Sequence, residues 1–93
     1  MRIAVMELHL HANWVHSLKE KRAEVKSLCA KLRNKFNVSV AEIAQQDTHQ
    51  IIVLGIAAIA ADSMQADSIL SHVLSFVEAN TEAQLTQVEQ TLY

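Results

Sequence analysis

From Arg2 to His11 the chain alternates: Ala4, Met6, Leu8 and Leu10 fall on one side of an extended segment, and Ile3, Val5, Glu7, His9 and His11 on the other. Successive side chains of a strand point to opposite faces, so this pattern predicts a strand with one face in the core. From Ser17 the period becomes helical, with Leu18, Val25, Leu28, Cys29 and Leu32 gathered within about 100° of a helical wheel. Ser17 with Glu20 three residues on makes the S-x-x-E pattern of a capping box. The helix should end near Asn34 to Phe36, where Lys31, Arg33 and Lys35 suit the negative end of its dipole.

Alternation returns from Phe36 to Ala44, the polar cluster Gln45 to Gln50 reads as a turn, and Ile51 to Ala60 is apolar enough for a strand buried on both faces. Asp62 or Ser63 should cap a second helix with Ala66, Ile69, Leu70, Val73, Phe76 and Val77 inward, stopping near Asn80. The tail is ambiguous: Leu85, Val88 and Leu92 fit helical spacing, whereas Thr86, Val88, Gln90 and Leu92 fit a strand. A final strand beside the first would cover an open edge. The order βαββα with that last β predicts an α+β fold, the ferredoxin-like βαββαβ sandwich: a four-stranded antiparallel sheet with two helices on one face.

With 93 residues, one Gly and no Pro, residues 1–93 are expected to form a single domain without a linker. One cysteine, Cys29, excludes an intramolecular disulfide and any multi-cysteine metal site, and fits a reducing compartment. No secretory signal is read at the N-terminus, and the longest apolar run, Ile51 to Ala61, is too short to span a bilayer. A cytoplasmic protein with no membrane partner is expected.

Charge changes the picture most. Residues 1–35 carry eight basic and three acidic groups, net +5, whereas residues 36–93 carry seven acidic groups and no basic one, net −7. Seven of the eight Lys and Arg residues lie between Lys19 and Lys35. Such segregation favours contact with something anionic through one side of the molecule.

The blocks Ser17-Leu18-Lys19-Glu20-Lys21-Arg22, Val25-Lys26-Ser27-Leu28 and Arg33-Asn34-Lys35-Phe36-Asn37-Val38-Ser39-Val40-Ala41-Glu42 resemble the YlxP-like family of small bacterial proteins, and the likeness extends over nearly the whole chain. The resemblance implies a ferredoxin-like fold and a cytoplasmic bacterial protein. It also implies a gene often found among translation and ribosome-maturation genes, hence a ribosome or RNA connection, and it supplies no biochemical activity. The chain departs from the family pattern at Ala12 to His16, which lacks Pro and Gly, and at Thr48-His49, where a Leu-Trp pair is common.

Lys19, Arg22, Lys26 and Arg33 project within about 60° of one another beside the apolar stripe, a ridge suited to regularly spaced phosphates. Lys21 sits closer to the buried edge and must snorkel or pair, which makes it a weaker phosphate ligand. Glu20 and Glu24 are expected to neutralise part of the opposite flank, beside Lys31 and Lys35. Base stacking on the sheet is disfavoured, because the third strand has no aromatic residue. The expected partner is ribosomal RNA or a ribosome-assembly particle, contacted at the backbone.

Ile3, Val5, Val53, Ala57 and Ile59 should point away from the helices as an apolar patch, which predicts a homodimer interface. The alternative is a protein–protein adaptor that uses this face without nucleic acid. His9 and His11 share a strand face, with His16 and His49 as the candidates to approach them. A zinc site nevertheless needs three or four ligands, and Glu7 is the only adjacent carboxylate in sequence, so no metal site is expected. A metal protein or small hydrolase using His9, His11 and His49 is the third class. Cys29 reads as a small buried hydrophobe. No Cys-x-x-Cys, Gly- and Arg-bearing phosphate cradle or Gly-containing ligand turn follows the first strand. No cofactor, small-molecule substrate or enzymatic activity is therefore expected.

Overall fold

In the computed structural model, which describes residues 1–93, the apolar alternation of the N-terminal segment becomes β1 (Arg2–His11). It is followed by α1 (Leu18–Lys35), β2 (Ser39–Ala44), β3 (Ile51–Ala60), α2 (Ser63–Asn80) and β4 (Gln84–Leu92). The strands form one antiparallel sheet in the order β2-β3-β1-β4. The architecture is the expected ferredoxin-like α+β sandwich.

The two central strands supply the inner layer of the core. Ala4 faces Ala58, Met6 faces Ile56, Leu8 faces Leu54 and Leu10 faces Ile52, and all eight are buried. Leu28, Cys29 and Leu32 of α1 and Ala66, Leu70, Val73 and Val77 of α2 close over them. A fully buried Leu or Ile contributes about 1.5–3 kcal/mol relative to exposure, so this layer holds the helices to one face. Both helices are capped: Ser17 Oγ accepts from the Glu20 amide at 3.1 Å, and Asp62 Oδ1 from the Gln65 amide at 2.8 Å. No helix is long and apolar enough to cross a membrane.

One boundary differs from the sequence reading, and one ambiguity is resolved. β2 begins at Ser39 rather than Phe36, because the Phe36 amide still donates to Leu32 O and its ring packs edge-on against Phe76, 5.5 Å between centroids. β4 resolves the ambiguous tail as a strand beside β1. A bulge at Thr86 shifts the register between His9 and Leu10, so that Gln87 faces His9 while Leu85 faces Leu10. The extra residue puts Leu85 on the same inner face as Val88 and Leu92, which reproduces helical spacing within a strand.

A second bulge, at Ile43, sets the free edge of β2. The Ile43 side chain lies over Gly55, where a Cβ would meet Ile43 Cγ2 at 2.9 Å. Glycine at position 55 therefore accommodates the bulged residue.

Candidate anion-binding helix

Helix α1 places its charges in two unlike environments. Lys21 falls between Leu28 and Leu32 on the wheel, in the middle of the stripe that faces the sheet, and is completely buried. Its Nζ donates to Gln45 O at 2.5 Å and Thr48 O at 2.7 Å, and meets Glu42 Oε2 at 2.7 Å. Two of the three N–H donors of the ammonium are taken by these carbonyls, and the ion pair with Glu42, whose Oε2 accepts no hydrogen bond, closes the remaining side. The acceptors belong to the end of β2 and the turn after it. Gln45 takes φ 58°, the one positive φ in the chain, and its carbonyl also accepts the Thr48 amide at 3.0 Å. Lys21 is therefore a clamp on the β2–β3 turn. Its expected role as a phosphate ligand is corrected, since a completely buried ammonium held by two carbonyls and Glu42 cannot reach a solvent-side anion.

Lys19, Arg22 and Lys26 are exposed and make no hydrogen bond or ion pair within the chain. Arg33 is also exposed, but its Nη2 donates to Val40 O at 2.8 Å, tying the last turn of α1 to β2. This leaves the guanidinium's other donors on the ridge while fixing its orientation. Neither Glu20 nor Glu24 forms a contact ion pair with Lys31 or Lys35, although Glu24 and Lys31 line the same cleft. The ion pairs within 4.0 Å are Lys21–Glu42 and His9–Glu7, and Glu24 Oε1 instead accepts Thr81 Oγ1 at 2.9 Å. The neighbouring α2 carries Asp67 and Glu78 exposed, with Asp62 at its start and no Lys or Arg. The helical layer thus has a basic side and an acidic side.

A cleft of about 430 Å³ between the helices is lined by Trp14, Glu24, Lys31, Asn80, Thr81 and Glu82. Its mixture of one cation and two carboxylates gives no preference for an anion. Cys29 is buried beside Leu28 and Leu32. Burial pushes its thiol above the ordinary range, the nearby Arg33 pulls it down and Glu42 pushes it up. A thiol so placed stays protonated and unreactive.

On the opposite face of the sheet, Ile3 and Ile59 are exposed, the latter 69%, and Val5 and Ala57 are half-buried. Val53 is corrected as an interface residue: this short side chain of a central strand lies between His9 and Ala44 in the register and is only 1% exposed. Ile43, which the sequence reading omitted, is 48% exposed and walls an apolar groove of about 370 Å³ with Val5, Ala41 and Ala57. The histidines do not converge. His9 and His11 lie on β1, His49 lies in the turn, and the donor atoms grouped with His9 are those of Glu7 and Glu89.

Sequence reasoning missed Glu42 and Glu89. Glu42 carried a signal, since it shares the inward parity of Val40 in β2, opposite a lysine in the apolar stripe of α1. Glu89 carried none before the pairing of β4 was fixed.

The family described as "Protein of unknown function (DUF503)" matches residues 3–90. Over 70 residues the chain is 44% identical to the "Uncharacterized protein YlxP" of Bacillus subtilis (strain 168), a stretch covering 75% of this chain and 76% of the relative.

Proposed function

The chain belongs to the DUF503 family, and from that premise we propose that it is a non-enzymatic cytoplasmic protein that binds RNA phosphates through α1, on ribosomal RNA or a ribosome-assembly particle. One observation carries this reading. Lys19, Arg22 and Lys26 stand in one row on a capped helix, exposed and free of any partner in the chain, and Arg33 extends the row. From Lys19 to Arg33 the helix axis runs about 21 Å at 1.5 Å per residue, long enough to follow several successive phosphates. Without aromatic residues on β3, the contact is with the backbone and carries no base readout.

The test is co-sedimentation with ribosomal particles, together with fluorescence anisotropy on a short RNA duplex. The triple variant Lys19→Glu, Arg22→Glu, Lys26→Glu should lose both signals with an unchanged circular dichroism spectrum. Arg33 is left intact because it also holds β2. Undiminished binding by the triple variant would exclude the reading.

The sheet face supports a second reading, a two-fold homodimer. Its exposed isoleucines adjoin β2, whose edge carries a bulge and the inward-pointing Glu42, two features that oppose strand-to-strand pairing. Packing face to face is the remaining way to cover the groove. If a different protein occupies this face, the chain is an adaptor, and its binding will respond little to salt.

A further inference from the structure

The open face of the sheet changes character from β3 to β4. Its apolar half ends at Val5, and the next outward residues of β1 are Glu7 and His9. Across the β1–β4 pairing Glu7 stands directly opposite Glu89, and His9 opposite Gln87. Like charges placed directly opposite on a sheet repel. No Lys or Arg relieves them, because the only basic residue outside α1 is Arg2. Its guanidinium is engaged with Tyr93 O and Ser63 Oγ.

The donor atoms of Glu7, His9 and Glu89 all lie within 4.8 Å of one another. His9 Nε2 lies 3.3 Å from Glu7 Oε1, closed off from solvent and without a hydrogen-bond partner. Donors sharing one tetrahedral ion at about 2.1 Å stand roughly 3.4 Å apart, the separation this pair already has. Glu89 is exposed, its carboxylate within 4.8 Å of the other two donors. Its Oε1 accepts Gln87 Nε2 at 2.8 Å, an outer-shell bond that orients the carboxylate.

We propose that Glu7, His9 and Glu89 bind one first-row divalent cation. One imidazole nitrogen and two carboxylates select Zn²⁺ or a neighbouring transition metal over Mg²⁺ and Ca²⁺, which prefer all-oxygen shells. Three protein donors on an open sheet face leave a fourth position to solvent or a ligand. The ion would fasten the edge strand β4 to β1 and remove the carboxylate repulsion. The site lies on the sheet face away from α1 and is independent of phosphate binding.

The test uses the full chain without an affinity tag, titrated calorimetrically with Zn²⁺ and followed by Co²⁺ absorption. One ion per chain is expected. His9→Ala and Glu89→Gln should each weaken it by more than about 100-fold, since loss of an outer-shell partner alone costs about 10–100-fold. Zn²⁺ should raise the melting temperature of the native protein and leave that of Glu89→Gln, an isosteric change on an exposed edge, unmoved. His72→Ala, on the exposed face of α2, serves as the control with unchanged affinity. Absence of saturable binding, which reduces the cluster to a His9–Glu7 ion pair, would overturn the proposal. So would binding that survives both substitutions and therefore resides on other histidines.

Discussion

Replacing Lys21 with methionine should cost the fold about 3–5 kcal/mol, the usual penalty for breaking one side of a buried ion pair. Methionine keeps most of the stem's packing against Leu28 and Leu32 but supplies no donor. Thr48 O and the Glu42 carboxylate, whose side chain is only 16% exposed, lose the ammonium, and Gln45 O is left with the Thr48 amide alone. A buried acceptor left unmade costs about 1–3 kcal/mol, and more when charged. The full sum is not expected, because the turn from Gln45 to Thr48 can open to water. With an unfolding entropy of about 2.1 cal/mol/K per residue, the penalty corresponds to a melting temperature lower by roughly 15–25 °C for this chain.

Thermal and urea unfolding followed by circular dichroism measure the loss, and hydrogen exchange should show it first in the β2–β3 turn. Adding Glu42→Leu to Lys21→Met should recover part of the stability, since removing both charges is milder than stranding one. Phosphate binding per folded molecule should stay unchanged. A melting temperature lowered by less than about 5 °C, or intact stability with lost phosphate affinity, would return Lys21 to the solvent side and refute the clamp.

Four phosphate contacts by the ridge imply a salt slope near −3, so RNA affinity should fall about 50- to 150-fold between 50 and 200 mM salt. Lys26→Glu should flatten that slope by about one contact, and a slope near zero would exclude backbone binding. Because burial raises the Cys29 thiol pKa in the folded state, its contribution to stability is complete below the unfolded value of about 8.5 and is lost as pH climbs through the folded one. Cys29→Ala should therefore show a shallower alkaline loss of stability. The native thiol should also react with a disulfide reagent at pH 8 far more slowly than in urea, and equal rates would contradict its burial. Ile59→Asp should convert the proposed dimer to monomer in sedimentation velocity, and a monomeric unsubstituted protein would remove that interface.

Much of the fold was legible because three independent signals agree: strand alternation, helical period and caps. Ser17 and Asp62 cap as their types suggest, and the inner rows of β1 and α2 follow the apolar pattern. β4 was ambiguous for a definite reason. A bulge adds one residue to a period of two, and Leu85–Val88 then mimics a helical step. The ridge was legible as spacing on one helix. That Lys31 and Lys35 form no contact pair with Glu24 was not, because Glu24 Oε1 takes the Thr81 hydroxyl across the helix pair. Lys21 shows the limit of charge counting: it is cationic but belongs to the core, and only the inward parity of Glu42 hints at the partner. The Glu7–Glu89 pairing lay beyond local pattern altogether, since it joins residues at opposite ends of the chain.

The geometry also relates the two proposed surfaces. The helices cover one face of the sheet and the exposed isoleucines occupy the other, so a sheet-to-sheet dimer leaves both basic ridges outward. With layers about 10 Å apart, the two α1 axes would stand roughly 30 Å from each other and face away. A short duplex can engage only one of them, so the dimer gains no avidity on it. A folded particle with phosphates on both sides can engage two. Ile59→Asp should therefore leave affinity for a short duplex unchanged and reduce retention on ribosomal particles. Equal losses on both substrates would mean that the sheet face itself touches RNA, which the absence of Lys and Arg on that face opposes.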